Sequence, residues 1–472
     1  MNIYIPIEVK VRELEGKTLL AMAAAERGHT VILGSKGDTR GLAKDGTLPP
    51  GIIHNKSLSP GEATLQMLDE FRQHGHIVTS QDEESGLLDE TYDTFARIRY
   101  SEESVSKASR LFAWGDFDSR SLKKIFTGYS DRITPTGSPR VDFWRKEFAA
   151  YYQTKEQPDT DQTRPYILIA SNFSSLLDEN RIWNRIARGR EAGYFDRHPE
   201  WEEHIYENSA YQLRLVYKFI RMIRSLSASH PDVDILLRPH PVESIEAWKK
   251  IIGEYPNVIV HRKGGISQWI RGASMLIHNG CTSALEAAAS GLPRIAYRPY
   301  PSELEREIPN RISSNAYTLD DVMDRVSGLL NGRDLADKKE VEAITREILN
   351  DRLSNLEGKL AADRIVDVWE AIGGSLAGTQ ASPSELIQLQ NSPNKDIRSR
   401  LKQKLVSIRN SVTGTNRGNE DKEQLLTSSH KFPSFTEEEM NHIHKNLQHT
   451  LGRFQNIEAR RFGERSFVLS KE

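Results

Sequence analysis

The sequence contains a single cysteine, Cys281, among 472 residues. One thiol excludes a disulfide framework within the chain and any zinc site built on several cysteines. Long apolar runs are also missing, since no stretch approaches the roughly 20 residues that a membrane-spanning helix needs. The opening residues Met1 to Lys10 are too short and polar for a secretory signal and are typical of a first strand. Together these absences favour a cytoplasmic protein.

The chain has little excess of either charge. Its 64 lysine and arginine residues are balanced by 66 aspartate and glutamate residues, which gives a formal net charge of −2. A dedicated nucleic-acid binder usually carries a strongly basic domain, so we expect no nucleic-acid partner. The composition is otherwise that of a globular protein, with 37% hydrophobic residues. This length is sufficient for two to three domains with large cores.

Short apolar segments alternate with helix-like segments along most of the chain. The first series of strand candidates lies at 3–9, 30–34, 52–54, 76–79, 111–114 and 132–134, and the second at 166–170, 233–237, 258–261, 275–277 and 294–297. This alternation is typical of parallel sheets with helices on both faces. We therefore predict an α/β fold with two doubly wound, Rossmann-like domains followed by C-terminal helices.

Composition places the domain boundaries. The first domain is expected at 1–155 and the second at 165–372, with a polar linker at 154–164. Residues 373–432 are rich in serine, asparagine, glutamine and lysine and predict a loosely structured connector. Residues 433–472 then regain order signals, namely a helix start capped by Thr436 and a short strand at 467–469.

Two strand candidates of the second domain end in polar, turn-forming tips. One is Arg238-Pro-His-Pro241, and the other is His278-Asn-Gly-Cys-Thr-Ser283, where a helix begins. A strand-to-helix turn with free backbone N–H groups is a natural anion site, and such tips converge at one edge of a parallel sheet. We expect the phosphate of a nucleotide-linked substrate there. The residues predicted to bind it are Asn172, Ser174, Ser175, Arg238, His278, Asn279, Gly280, Thr282, Ser283 and Glu286.

His240 is the sharpest candidate for catalysis in this domain. An imidazole N–H aimed at a phosphate oxygen would stabilise the leaving nucleotide, and Arg238 would add charge. The alternative is a stiff strand exit, since His-Pro pairs also occur at His198 and His230. For the second tip, the alternative is an ordinary capped helix, and Glu286 is equally well explained as a surface residue.

Charged residues follow two strand candidates of the first domain. Asp82, Glu83 and Glu84 come after the strand ending at Thr79, and one of them would be the catalytic carboxylate that takes a proton or attacks the anomeric carbon. Acidic runs are usually solvated surface, which is the alternative here. Glu8, Arg12, Glu13 and Lys17 lie at the first strand-to-helix junction, where Glu8, Arg12 and Lys17 are further candidates for binding substrate. A charged first helical turn explains these equally well.

Several segments over residues 1 to 300 resemble one known family. The segments are 5–14, 25–34, 82–86, 114–115, 136–142, 171–175, 238–241 and 278–299. They resemble the bacterial surface carbohydrate biosynthesis proteins, which are similar to GT-B transferases of 3-deoxy-ulosonic acids such as Kdo and the sialic-acid-like nonulosonates. The family's acidic motif is altered here, because Ser85 separates Glu84 from Gly86.

The resemblance implies two domains facing a cleft and a CMP-activated donor. It implies transfer of an ulosonic acid to a bacterial glycan or lipid-linked glycan. The anomeric configuration would be retained, as in the Kdo transferases of similar pattern. Arg12 or Lys17 would bind the ulosonate carboxylate. We expect no cofactor and no metal, since Asp232 and Asp234 precede a strand instead of following it. Peripheral contact with the inner membrane or an assembly complex is a further expectation.

Two other functions are compatible with the same residues. A UDP-sugar transferase or epimerase of GT-B fold would place a diphosphate at the same two tips. A non-catalytic scaffold of polysaccharide assembly would keep the fold without the chemistry.

Overall fold

The computed structural model describes residues 1–84, 92–153, 164–173, 181–191, 193–197, 199–240, 243–390 and 431–472. Its described part divides into two compact units. The first contains residues 1–84, 92–143, 351–390 and 431–472, and the second contains the described residues between 144 and 350.

The strands are β1 (Asn2–Ile7), β2 (Thr30–Ser35), β3 (Gly51–Asn55), β4 (Ile77–Gln81), β5 (Arg110–Ala113), β6 (Ile133–Pro135), β7 (Tyr166–Ala170), β8 (Asp234–Arg238), β9 (Val258–Val260), β10 (Met275–His278), β11 (Arg294–Tyr297), β12 (Ser314–Ala316), β13 (Ile457–Gly463) and β14 (Ser466–Lys471).

The helices are α1 (Lys10–Glu26), α2 (Leu42–Lys44), α3 (Glu62–Gln73), α4 (Asp93–Arg99), α5 (Glu102–Ser106), α6 (Asp116–Ile125), α7 (Pro139–Asp142), α8 (Ala149–Gln153), α9 (Arg181–Glu191), α10 (Tyr194–Arg197), α11 (Glu200–Ser229), α12 (Ile245–Ile252), α13 (Ile266–Gly272), α14 (Ser283–Ser290), α15 (Glu307–Arg311), α16 (Leu319–Leu330), α17 (Lys338–Arg352), α18 (Ala361–Ile372), α19 (Pro383–Gln390) and α20 (Glu437–Leu451).

The first unit is built on an eight-stranded sheet in the order β13-β14-β2-β1-β3-β4-β5-β6. Strands β1 to β6 are parallel, and the β13–β14 hairpin extends the sheet antiparallel to β2. Strand β1 is buried along its whole length, as expected for a central strand covered on both faces. The predicted strand at 467–469 is confirmed within β14, whereas β13 was not predicted.

The second unit is a six-stranded parallel sheet in the order β12-β11-β10-β7-β8-β9. The chain starts in the middle at β7, builds outward through β8 and β9, then returns to the other side of β7 with β10. This is the doubly wound order, and its switch point lies between β7 and β10. The predicted α/β class with two doubly wound units is confirmed.

The unit boundaries differ from the predicted ones because residues 351–372 belong to the first unit. Asp142 explains the difference, since its carboxylate accepts hydrogen bonds from the backbone N–H groups of Ala361 (2.9 Å) and Ala362 (3.2 Å) at the start of α18. Asn355 also donates to Asp142, at 2.6 Å. A charged cap supplied by a distant residue leaves no local sequence signal. The predicted cap of α20 by Thr436 is confirmed, as a capping box with Glu439.

Candidate functional site

The switch point of the second sheet is closed by two asparagines. Asn172 follows β7 and Asn279 follows β10, and the Asn279 side chain pairs with the Asn172 backbone. The Oδ1 atom of Asn279 accepts from the Asn172 N–H at 2.9 Å, and its Nδ2 donates to the Asn172 carbonyl at 3.0 Å. The Asn172 side chain in turn donates to the Gly280 carbonyl at 3.3 Å. The two loops are therefore fixed to each other at the edge where open α/β sheets bind ligands. Ser174 and Ser175 lie outside the described residues.

The tip after β10 presents backbone donors. Among the described residues, no group accepts a hydrogen bond from the N–H of Cys281, Thr282 or Ser283. Thr282 precedes α14 with a helical backbone, and its side chain makes no capping hydrogen bond, which excludes the ordinary capped helix for this residue. The Ser283 hydroxyl is buried and also has no hydrogen-bond partner in the described part of the chain. Three N–H groups and one hydroxyl at a helix start form an arrangement suited to a phosphate.

Gly280 makes this tip possible. Its φ is +86°, in the left-handed region that favours glycine. A Cβ atom at this position would lie 3.2 Å from Cβ of Arg306. The turn thus depends on glycine for both its backbone conformation and its space.

His278 was predicted to bind substrate, and the structure corrects this. The ring is fully buried. Its Nδ1 accepts from the Gly280 N–H at 3.0 Å, so Nε2 carries the proton and donates to Ser313 Oγ at 2.9 Å. Burial, with the nearby Arg294 cation, lowers the pKa of His278 to about 3. His278 is a neutral positioning residue beneath the tip.

Arg238 was predicted to place its charge beside the phosphate, but its guanidinium is committed elsewhere. Nη1 donates to the Lys263 carbonyl at 3.1 Å, and Nη2 donates to the Gly264 carbonyl. Burial lowers the pKa of Arg238 to about 10, while the Glu286 carboxylate acts in the opposite direction. Glu286 is itself buried in α14, which excludes a solvated surface position. Arg238 therefore mainly anchors the 263–264 loop.

His240 lies in a turn that a buried carboxylate organises. The turn is closed by the Glu243 N–H, which donates to the His240 carbonyl at 2.8 Å, and by Arg262, which donates to the same carbonyl at 3.1 Å. The Glu243 carboxylate reaches back to the β7 loop, where it accepts from Ser171 Oγ at 2.5 Å and from the Phe173 N–H at 2.6 Å. Burial raises the pKa of Glu243, although these hydrogen bonds act to lower it.

Glu243 was missed in the sequence analysis. It fixes the His240 turn to the loop that carries Asn172, and Asn172 in turn pairs with Asn279 of the second tip. Its position three residues after His240 was the available signal, but an isolated glutamate before a helix is usually solvent-exposed.

The carboxyl edge of the first sheet carries a network of ion pairs. Five carboxylates and five cations of the described residues each take part in at least one ion pair there. The carboxylates are those of Glu8, Glu13, Asp82, Glu83 and Glu84, and the cations are Arg12, Lys17, Lys36, Lys56 and Arg99. Lys431 adds a further cation 3.8 Å from Glu8.

The centre of this network is buried. Lys17 is 3% exposed and donates to Glu13 Oε2 at 2.8 Å and to the Pro6 carbonyl at 2.7 Å. Its Nζ is 3.5 Å from Glu83 Oε1, and Lys56 Nζ is 3.2 Å from Glu13 Oε1. Burial alone would raise the pKa of Glu13, but Lys17 and Lys56 lower it to about 2. Glu13 is therefore a permanent anion that holds both lysines.

The three acidic residues after β4 differ in their environments. Burial, assisted by the nearby Glu13 charge, raises the pKa of Glu83. Burial acts in the same direction on Glu84, yet Arg99 and Arg12 lower its pKa. Asp82 Oδ1 accepts from the Glu84 N–H at 2.8 Å, and its Oδ2 is 3.7 Å from Arg99 Nε. Of the two glutamates, Glu83 therefore binds a proton more readily than Glu84.

Arg12 and Lys17 were predicted to bind a substrate carboxylate, and the structure gives both of them carboxylate partners within the chain. Arg12 Nη1 is 2.7 Å from Glu84 Oε1, and Lys17 lies between Glu13 and Glu83. An incoming carboxylate would have to displace one of these ion pairs. Lys17 in particular is a buried structural cation.

Neither a metal cluster nor a membrane-spanning helix occurs among the described residues. Asp234 begins β8 and pairs with Arg164 at 3.1 Å, at the opposite end of the strand from His240. Within those residues, no group of three histidine, cysteine, aspartate or glutamate side chains is arranged to hold a metal ion. No helix in the same part of the chain is long and apolar enough to cross a bilayer.

No protein-family model and no curated protein matches this chain. Solved structures are similar to it at low identity. A putative UDP-N-acetylglucosamine 2-epimerase from Listeria monocytogenes is 13% identical, covers 79% of this chain and 97% of its own, and has a TM-score of 0.46. The UDP-GlcNAc 2-epimerase from Neisseria meningitidis, bound to UDP-GlcNAc, is 11% identical, covers 79% of this chain and 100% of its own, and also has a TM-score of 0.46. The wall teichoic acid polymerase TagF is 12% identical, covers 68% of this chain and 71% of its own, and has a TM-score of 0.40.

Proposed function

We propose that this protein is a nucleotide-sugar-dependent enzyme of bacterial surface-glycan synthesis, acting as a transferase or epimerase on a UDP-sugar. The observation that carries the proposal is the tip after β10. Its N–H groups at Cys281, Thr282 and Ser283 stand without acceptors among the described residues, beside a switch point fixed by Asn172 and Asn279. Such donors at a helix start bind phosphate groups.

The charge balance of the first unit supports a UDP-sugar over a CMP-ulosonate. An ulosonic acid carries a carboxylate that needs a cation. Arg12 and Lys17, the two cations that the family resemblance assigns to that task, are paired with Glu84 and with Glu13 and Glu83. A neutral sugar needs no such partner.

Glu83 is the proposed acid–base residue. Burial raises the pKa of Glu83, so this carboxyl group binds a proton more readily than an exposed glutamate, whereas Arg12 and Arg99 lower the pKa of Glu84. In glycosyl transfer Glu83 would accept the proton of the acceptor hydroxyl, and in epimerisation it would remove or return a ring proton. Independence from metal ions stays a prediction, tested by turnover in EDTA.

Calorimetric titration with UDP, CDP and CMP tests the nucleotide site. We expect UDP to bind most tightly, and Ser283→Ala to weaken it about ten-fold, because the variant removes a hydrogen bond to a charged group. Ser290→Ala is the matched control at the far end of α14, and it should leave the affinity unchanged. Binding of CMP alone would instead support the ulosonate donor. Failure of all three nucleotides to bind would contradict the proposal and favour a scaffold.

A second experiment tests the carboxylate. Turnover of UDP-sugars, followed by NMR, should fall at least about 100-fold in Glu83→Gln, since loss of a positioned acid–base group costs that much or more. Glu84→Gln is the matched control and should retain most activity. UDP affinity should be unchanged in both variants. Full turnover in Glu83→Gln would remove Glu83 from the mechanism.

A further inference from the structure

Helix α11 carries an exposed apolar line that the proposed enzyme chemistry does not use. The helix has 30 residues and is about 45 Å long, whereas the five-residue strands beside it span about 17 Å. From Tyr211 onward its inner face packs into the core of the second unit. On its outer face Tyr206, Leu213 and Tyr217 are 45%, 62% and 59% exposed.

The spacing of these residues is that of a helix-pairing seam. Seven residues separate Tyr206 from Leu213 and four separate Leu213 from Tyr217, which places all three within about 40° of rotation. Ala210 is exposed between them and completes the four-three-four spacing. Alternate steps of four and three are those of the a and d positions of a coiled coil. The small side chain of Ala210 leaves room for an apolar side chain of another helix.

The charges beside this seam change sign along the helix. Glu203 and Glu207 lie toward its amino end, and Arg214 and Arg221 lie toward its carboxyl end on the same flank, all four exposed. No aspartate or glutamate occurs between Tyr211 and Ser229. None of the four forms an ion pair with a described residue. Arg214 does stack on the Tyr300 ring, at 4.1 Å from its centroid.

We propose that the α11 seam pairs with α11 of a second copy of this chain, antiparallel about a two-fold axis. In this register Tyr206 packs against Tyr217 of the second copy, and Ala210 packs against its Leu213. The flank of each helix then meets the same flank of the other, as in antiparallel coiled coils, and opposite charges face each other. Glu203 lies opposite Arg221 of the second copy, and Glu207 lies opposite its Arg214.

The charge pattern selects this partner over an anionic lipid surface. Tyrosines beside arginines are common at membrane interfaces. However, Glu203 and Glu207 are exposed beside Tyr206 on the same face, and an anionic surface would repel them. A second copy provides opposite charges for both halves of the helix, because each acidic segment lies against a basic segment of the other copy. A two-fold interface requires this kind of self-complementarity.

Light scattering coupled to size exclusion tests the proposal on the full chain. We expect the wild type to be dimeric at tens of micromolar. Leu213→Glu should raise the dimer dissociation constant at least about ten-fold, since it places two like charges in an apolar seam. Ala228→Glu is the matched control, since it adds the same charge to an exposed position of the same helix beyond the overlap.

Charge exchange distinguishes this register from any other apolar contact. Glu203→Arg and Arg221→Glu should each weaken the dimer, and the double variant should restore it, because the two side chains are about 27 Å apart within one helix and meet only between copies. A monomeric wild type would overturn the proposal, as would a dimer that Leu213→Glu leaves intact. Failure of the double variant to restore the dimer would refute the register. A monomer that binds phosphatidylglycerol vesicles through Leu213 would establish the lipid surface instead.

Discussion

Replacing Lys17 by methionine should destabilise the first unit strongly at neutral pH. The side chain is 3% exposed. Its Nζ donates a hydrogen bond to the Pro6 carbonyl at 2.7 Å and forms ion pairs with Glu13 at 2.8 Å and with Glu83 at 3.5 Å. Methionine fills nearly the same space, but it leaves the buried Glu83 without its lysine partner and Glu13 with Lys56 alone at 3.2 Å. Removing one partner from a buried ion pair costs about 3–5 kcal/mol. The depressed pKa of Glu13, about 2 against an ordinary 4.5, corresponds to about 3 kcal/mol by linkage.

The pH dependence of this loss follows from the same carboxylate. In the wild type, Glu13 binds its proton more weakly when folded, so its contribution is present above pH 4.5 and is lost as the pH falls toward 2. Without Lys17 the folded protein takes up a proton at higher pH, which relieves the buried charge. The difference in the free energy of unfolding between wild type and variant should therefore be smaller at pH 5 than at pH 7.

Urea unfolding followed by circular dichroism at the two pH values measures this difference. Lys44→Met is the matched control, because Lys44 is 41% exposed and forms one surface ion pair with Glu70 at 2.9 Å. The control should lose less than about 1 kcal/mol. A loss below about 1 kcal/mol for Lys17→Met at pH 7, or an equal loss at both pH values, would show that Lys17 does not stabilise the buried carboxylates.

Three further outcomes are expected. The pKa of His278 is about 3 against an ordinary 6.5, so the folded protein excludes the proton that the unfolded chain binds. The free energy of unfolding of the wild type should therefore fall by about 2 kcal/mol from this residue between pH 6.5 and pH 5. In urea unfolding, His278→Ala should show a weaker dependence of this free energy on pH, and an unchanged dependence would contradict this. Asp142→Ala should cost about 2–3 kcal/mol, because it removes a charged acceptor from the start of α18, and a loss within 0.5 kcal/mol, roughly that of an ordinary surface substitution, would count against it. Gly280→Ala should weaken UDP binding about ten-fold, because the φ of +86° strains an alanine and its Cβ would crowd Arg306. Gly332→Ala, at a φ of +75° but with open space around it, should leave UDP binding unchanged.

The sequence was sufficient to predict which loops carry polar groups, because strand ends can be located from apolar runs and turn residues. Asn172 and Asn279 were both identified in this way. Their mutual hydrogen bonds were not predicted, since these depend on β7 lying next to β10. Strand order is set by long-range packing and leaves no mark within either loop.

The direction of side chains at the strand ends could not be predicted either. In a sheet covered by helices on both faces, a polar residue at a strand end can point into the protein or toward the ligand edge. His278 and Arg238 both point inward, where they satisfy backbone groups of neighbouring loops. Lys17 is a similar case, because a lysine in a helix is normally solvated, and only the fold brings Glu83 to it.

Cys281 allows a direct test of whether a nucleotide phosphate lies on the backbone N–H groups at the start of α14. It is the only cysteine of the chain, so selective ¹⁵N-cysteine labelling gives one amide signal, from the middle of the proposed site. We predict that this signal shifts when UDP is added, to saturation at the affinity found by calorimetry, and does not shift with uridine. A signal that stays in place while UDP is bound would show that the phosphate does not lie on these N–H groups.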